Sequence, residues 1–112
     1  MVTDLKYLQQ MTGNDGAMIK EMIEMFLRQL FEARSDMELL ADQKNWIELS
    51  RVAHKIKSSA LVMGIEQMAN EMKELEALSK EGKNVEKYPD YMARFNALID
   101  LTEVELRTYL NN

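Results

Sequence analysis

The chain has no cysteine, one proline, four glycines and one histidine in 112 residues. Without cysteine there is no disulfide framework and no thiolate metal site, which fits a reducing, cytoplasmic setting. So little proline and glycine leaves little material for turns. A chain that is 46% hydrophobic, with its charges spread at helical spacing, should be all-α. No apolar run approaches the roughly 20 residues of a membrane span, and the opening MVTDLKYLQQ has no signal-peptide core, so no membrane role is expected. A net charge of −5 argues against nucleic acid as the main partner, because phosphate backbones need a broad basic face. One histidine cannot supply converging metal ligands, and Glu66, Glu71 and Glu74 read as solvated surface acids; no metal or other cofactor is expected.

What is present is helical periodicity. The length suits a single domain spanning residues 1–112. Leu5, Leu8 and Met11 make a short amphipathic segment before the turn formers Thr12 to Gly16, where Asn14 or Asp15 would cap the next helix. From about Ala17 to Ala41, residues Ile19, Ile23, Phe26, Leu30, Ala33, Met37 and Leu40 repeat at four-three spacing, the pattern of a long bundle helix. Met18, Met22 and Met25 form a second stripe beside its first half; they are expected to cover the short N-terminal helix, the alternative being that they receive a partner. Asn45 should cap a helix running from Trp46 to about Met63 and closed by Gly64. A further helix, Ile65 to about Lys80, points Ile65, Met68, Met72 and Leu75 inward and ends at Gly82. Pro89 belongs near the start of the last helix, in which Tyr88, Met92, Phe95, Ile99, Thr102, Leu106 and Tyr109 repeat the pattern. The expected architecture is an up-and-down antiparallel four-helix bundle with a short additional N-terminal helix.

The helix from Trp46 carries the chemistry. Leu49, Val52, Ala53, Ile56, Ala60 and Met63 form its buried stripe, and His54 lies well over a right angle from that stripe, facing water. Ser50 and Lys57 flank it on one side, Arg51 and Ser58 on the other. Between Leu49 and Gly64 there is no acid, so Arg51, Lys55 and Lys57 make a basic island in an acidic chain. Ile47 and Leu61 stand one heptad before and after His54, and two exposed apolar side chains around a histidine suggest a docking surface. The plainer reading is that Ile47 belongs to a loose first turn and that Leu61 is covered by the turn that follows. One acid is out of place: Glu76 falls close in phase to Ile65 and Met72, so it points toward the bundle and needs a partner.

A water-facing imidazole with two lysines within a turn has few enzymatic uses. A serine triad would need an orienting acid and a cleft that excludes water, and a bundle surface offers no oxyanion hole. What such a ring can do is accept a phosphoryl group on one nitrogen while the other keeps its proton and is held by an acceptor, for which Glu76 is the candidate. Lys57 and Lys55 are within reach of the phosphoryl oxygens. Ser58, one turn on, is small enough to leave the approach open.

The stretch AHKIKSSALVMG resembles the signature of histidine-containing phosphotransfer domains, usually H-x-[LI]-K-G-[SA]-[SA] with a later glycine. The similarity runs through LKYLQQMTGND, NWIELSRVAHKIK and MANEMKELE, nearly the whole chain. It implies that His54 is the phosphoacceptor, that Lys57 stabilises the phosphoryl group, and that Glu76 takes the place of a Gln or Glu bonded to the other imidazole nitrogen. Gly64 matches the glycine that closes the active helix, whereas Ser58 replaces the commoner glycine. The resemblance further implies a phosphorelay carrier without kinase activity of its own. Its partners would be aspartate-bearing receiver domains, docking over Ile47, Ser50, Arg51, Ser58 and Leu61, and their acidic pocket suits the basic island. A short-loop bundle of this size is expected to be monomeric. A kinase dimerisation domain usually has an acid after its histidine and a proline soon after, whereas here Lys55 follows and no proline is near. The remaining alternative is a helical interaction module in which His54 is never phosphorylated.

Overall fold

The computed structural model describes all 112 residues and is all-helical. Five α-helices follow in order: α1 (Lys6–Met11), α2 (Gly16–Asp42), α3 (Trp46–Val62), α4 (Glu66–Lys80) and α5 (Tyr88–Leu110), with a single 3-10 turn, Val85–Lys87, leading into α5. No helix is long and apolar enough to cross a membrane. Among the long helices, α2 packs on α3 and α5, and α4 packs on α3 and α5, with the α3–α4 contact the most extensive. The residues that repeat at four-three spacing meet in the middle: Ile19, Ile23, Phe26, Leu30, Leu49, Ile56, Met68, Met72, Leu75, Phe95 and Ile99 are all buried.

The ends follow from local chemistry. Of the two candidate caps for α2, Asp15 is the one used, its carboxylate accepting the Met18 amide at 3.1 Å. Asn45 caps α3 through the Glu48 amide at 3.3 Å. Pro89 sits in the first turn of α5, where its missing N–H costs nothing. α3 ends in a paired closure: the Gly64 amide donates to Leu61 and the Ile65 amide reaches back to Ala60. Gly64 has φ +66°, and a Cβ there would lie 2.0 Å from the Asp4 carbonyl oxygen, so conformation and space both demand glycine.

That close approach marks a feature the sequence does not announce. The segment before α1 lies over the α3–α4 turn, with the Asp4 amide donating to the Met63 carbonyl at 3.3 Å. Glu105 of α5 then receives the Val2 amide at 2.7 Å, the Thr3 amide at 3.1 Å and the Thr3 hydroxyl at 3.0 Å. Burial pushes this carboxyl up, but those three donors outweigh it and hold Glu105 below the ordinary carboxylate value.

Two expectations are corrected. Met18 and Met25 are about half exposed, at 46% and 54%, so this stripe does not serve as the cover of α1. Instead Met22, Met25 and Phe26 line an open groove with Ser59, Val62 and Met63 of α3. Glu71 and Glu74 are not merely solvated: Glu71 accepts from Arg94 at 2.8 Å and Glu74 from the Tyr91 hydroxyl at 2.8 Å, both tying α4 to α5.

Candidate functional site

His54 stands at the middle of α3, on the flank facing α4, with its side chain 56% exposed. Helical phase keeps it off the buried stripe, and the same phase on α4 brings Glu76 up to the seam between the two helices. The His54 Nδ1 lies 2.8 Å from Glu76 Oε2. An ionised carboxylate can only accept, so Nδ1 carries the proton and Nε2 is left with its lone pair toward solvent.

The second oxygen of Glu76 is also engaged. Lys57 Nζ donates to Glu76 Oε1 at 2.9 Å, and both side chains are 24% exposed. Burial raises the Glu76 carboxyl, but the hydrogen bonds from Lys57 and then His54, reinforced by their charges, win and hold it below the usual value of 4.5. One carboxylate thus fixes the tautomer and direction of the ring and parks the neighbouring ammonium beside it. This arrangement is what the inward phase of Glu76 called for.

The rest of the basic island is sorted by the fold. Arg51 pairs with Glu48 one turn back, which tempers its charge. Lys55 is exposed and makes no ion pair. Ser58 is exposed, with its hydroxyl donating to the His54 carbonyl at 3.2 Å, so it presents little bulk to an approaching partner. Ile47 and Leu61 remain 49% and 58% exposed, so the following turn does not cover Leu61. Ser50 does not belong with them. It is only 6% exposed and its hydroxyl donates to the Ile47 carbonyl at 2.6 Å, because α4 packs over that flank of α3. It can line the floor of the site but offers no surface for docking. Lys80, one turn beyond Glu76, lines the same cleft as His54, and its four-residue spacing from Glu76 was a readable signal that it would.

No group of three His, Cys, Asp or Glu side chains converges anywhere to hold a metal ion. The chemistry available is that of a single oriented nucleophilic nitrogen, open to water, with ammonium groups beside it; the apolar groove between α2 and α3 is a separate feature that shares no residue with the His54 cleft. A family model described as the Hpt domain matches residues 21–109. The chain belongs to the Hpt domain family. Comparison with curated proteins and with solved structures returns no match. At the level of the family, Hpt domains carry out histidine phosphotransfer in phosphorelays and interact there with receiver domains. The Hpt match covers His54, Lys57 and Glu76, together with all of α3, α4 and the groove on α2.

Proposed function

We propose that this chain is a phosphorelay intermediate: His54 takes a phosphoryl group from the aspartate of one receiver domain, typically that of a hybrid sensor kinase, and passes it to the aspartate of another. The observation that carries the reading is the commitment of Nδ1 to Glu76, which leaves Nε2 as a nucleophile pointing into solvent. Lys57, released from Glu76, steadies the arriving phosphoryl oxygens, and Lys55 adds a second cation. In this reading the chain is a carrier and not an enzyme. It works without metal or cofactor as a single-domain monomer in the cytoplasm, and binds neither nucleic acid nor membrane. The short turns and the ring of helix contacts support an up-and-down antiparallel four-helix bundle, with α1 as an addition.

The receiver would dock over Ile47, Arg51, Lys55, Ser58 and Leu61 and extend across the groove between α2 and α3, where methionines give an adaptable apolar surface. Lys55 and the neighbouring ammonium groups complement the acidic pocket around a receiver aspartate. A plain interaction module could use that groove, but would have no use for a carboxylate that orients a solvent-facing imidazole.

The test is incubation with a phosphorylated receiver domain. The wild type should acquire an acid-labile label, and His54→Gln should acquire none while keeping its helical circular dichroism. Equal labelling of the two proteins would remove His54 from the reaction and leave the interaction module as the better account.

A further inference from the structure

All the sulfur in this chain is thioether: there are 10 methionines and no cysteine. The fold sorts them sharply. Met37, Met63, Met68 and Met72 are buried, whereas Met1, Met11, Met18 and Met25 stand about half exposed or more. Of those four, only Met25 lines the open groove between α2 and α3. With no thiol to react first, access decides which thioether an oxidant meets. Resting on the reading that a receiver domain docks across that groove, we infer that Met25 is a modification site, oxidised to the sulfoxide by peroxide, and that the added oxygen loosens docking while leaving the chemistry at His54 untouched.

The step balances on hydrogen peroxide alone. A lone pair of Met25 Sδ attacks one peroxide oxygen and an S–O bond forms. The O–O bond breaks, and its electron pair leaves on the second oxygen as hydroxide. The proton of the attacked oxygen passes to that hydroxide, so water departs. Sulfur is oxidised by two electrons and the peroxide is reduced by two.

The product suits docking badly. Met22, Met25 and Met63 make the groove apolar and adaptable. A sulfoxide oxygen is a hydrogen-bond acceptor whose water must be stripped or replaced when a partner covers it. Gln29 stands one turn along α2 from Met25, and Ser59 lines the groove from α3. Their N–H and O–H groups can hold the oxygen in the groove, so the flexible side chain does not carry it clear of the docking path. The fold survives, because Met25 faces outward and no core side chain must move to admit the oxygen. Separation protects the chemistry as well: the groove shares no residue with the cleft that holds His54, Glu76 and Lys80. Oxidation thus weakens docking and does not slow transfer in the docked complex.

The experiment treats wild type, Met25→Leu and Met18→Leu with dilute hydrogen peroxide, locates the added oxygen by peptide mass and checks the fold by circular dichroism. Each protein is compared with its own untreated form in taking up labelled phosphoryl group from a receiver domain over a range of receiver concentrations. Treated wild type should carry oxygen on Met25 and need about tenfold more receiver for half-maximal transfer, with its saturated rate within about twofold of the untreated value. Methionine sulfoxide reductases for both sulfoxide epimers, supplied with a dithiol, should reverse the change. Met18→Leu should respond as wild type does, because Met18 is comparably exposed on α2 but lies outside the groove. Met25→Leu, with an apolar side chain of similar size that cannot take oxygen, should show no rise on treatment. Wild type oxidised at Met25 with an unchanged receiver requirement would overturn the proposal. So would a Met25→Leu protein that responds like wild type, since the effect would then belong to another methionine. An untreated wild type that takes up no label would instead bring down the phosphocarrier reading itself, before any comparison of treated proteins.

Discussion

Two half-buried carboxylates, Glu76 and Glu105, hold this molecule at opposite kinds of junction. Each sits where burial would favour the neutral acid, and each is kept ionised because its hydrogen-bond donors outweigh that cost. The difference lies in the donors. Glu105 is held mainly by the backbone amides of Val2 and Thr3, which cannot turn away without unfolding the segment that bears them. Glu76 is held by an imidazole and an ammonium, side chains that can be reassigned while both helices stay in place. The first arrangement suits a fastener; the second suits a site whose partners must change during a reaction. Stability changes should therefore gather at the Glu105 junction and rate changes at Glu76.

The largest effect expected from breaking this contrast is at Gly64, against which the fastened segment lies. Gly64→Ala forces an L side chain into a left-handed conformation, at about 1–2 kcal/mol. It also drives a methyl group into the Asp4 backbone, which must move away and strain the contacts beyond it. A total near 3 kcal/mol is expected, lowering Tm by roughly 10–15 °C. Thermal melts measure this directly, and a loss no larger than the about 1–2 kcal/mol of the left-handed conformation alone would mean that the segment is not held against the turn.

Next in size is Glu105→Ala. Removing a charged acceptor from two amides and a hydroxyl that are only part-buried should cost on the order of 1–2 kcal/mol, with fraying of residues 1–4 visible in amide exchange and label uptake at His54 preserved. The pH dependence has a defined sign. Because both carboxyls are held below their ordinary value of 4.5, their contributions are fully present above it and are lost as the pH falls through the folded values. Wild type should thus lose stability in acid more steeply than Glu105→Ala. Parallel acid curves for the two would separate Glu105 from the stability of the fold.

The two junctions also differ in how far the sequence discloses them. Glu76 was legible because its phase on α4 placed a carboxylate among apolar residues, and His54 was the one histidine that could meet it. Both facts are properties of single helices. Glu105 was not, since its partners Val2 and Thr3 lie about a hundred residues away and no local pattern marks them. Ser50 was misplaced for a related reason. The period of α3 gives its own faces correctly, but not which flank its neighbour covers, and α4 closes over the serine. The methionine stripe on α2 shows the same limit, because periodicity identifies an apolar row without saying whether a short helix or open solvent lies across it. The alternation of apolar positions, the caps at Asp15 and Asn45 and the closing glycines are short-range features, and they brought the helix boundaries to within a residue or two.

The smallest expected stability change comes at Lys57, and it sharpens the contrast most. Its ammonium is partly exposed and its single partner, Glu76, would still be engaged by His54 after truncation, so Lys57→Ala should move stability by no more than about 0.5 kcal/mol. If Lys57 were only another fastener, its removal would be nearly silent in every assay. If it turns from Glu76 to the phosphoryl group, transfer from a receiver should slow on the order of 10- to 100-fold, below or at the foot of the range for a donor in an enclosed site because water here can replace part of its charge. Melting and transfer rate must be measured on the same preparation. An unchanged rate with an unchanged melt would take Lys57 out of the chemistry, whereas a lost rate accompanied by a matching loss of stability would place it with Glu105 among the residues that only hold the fold.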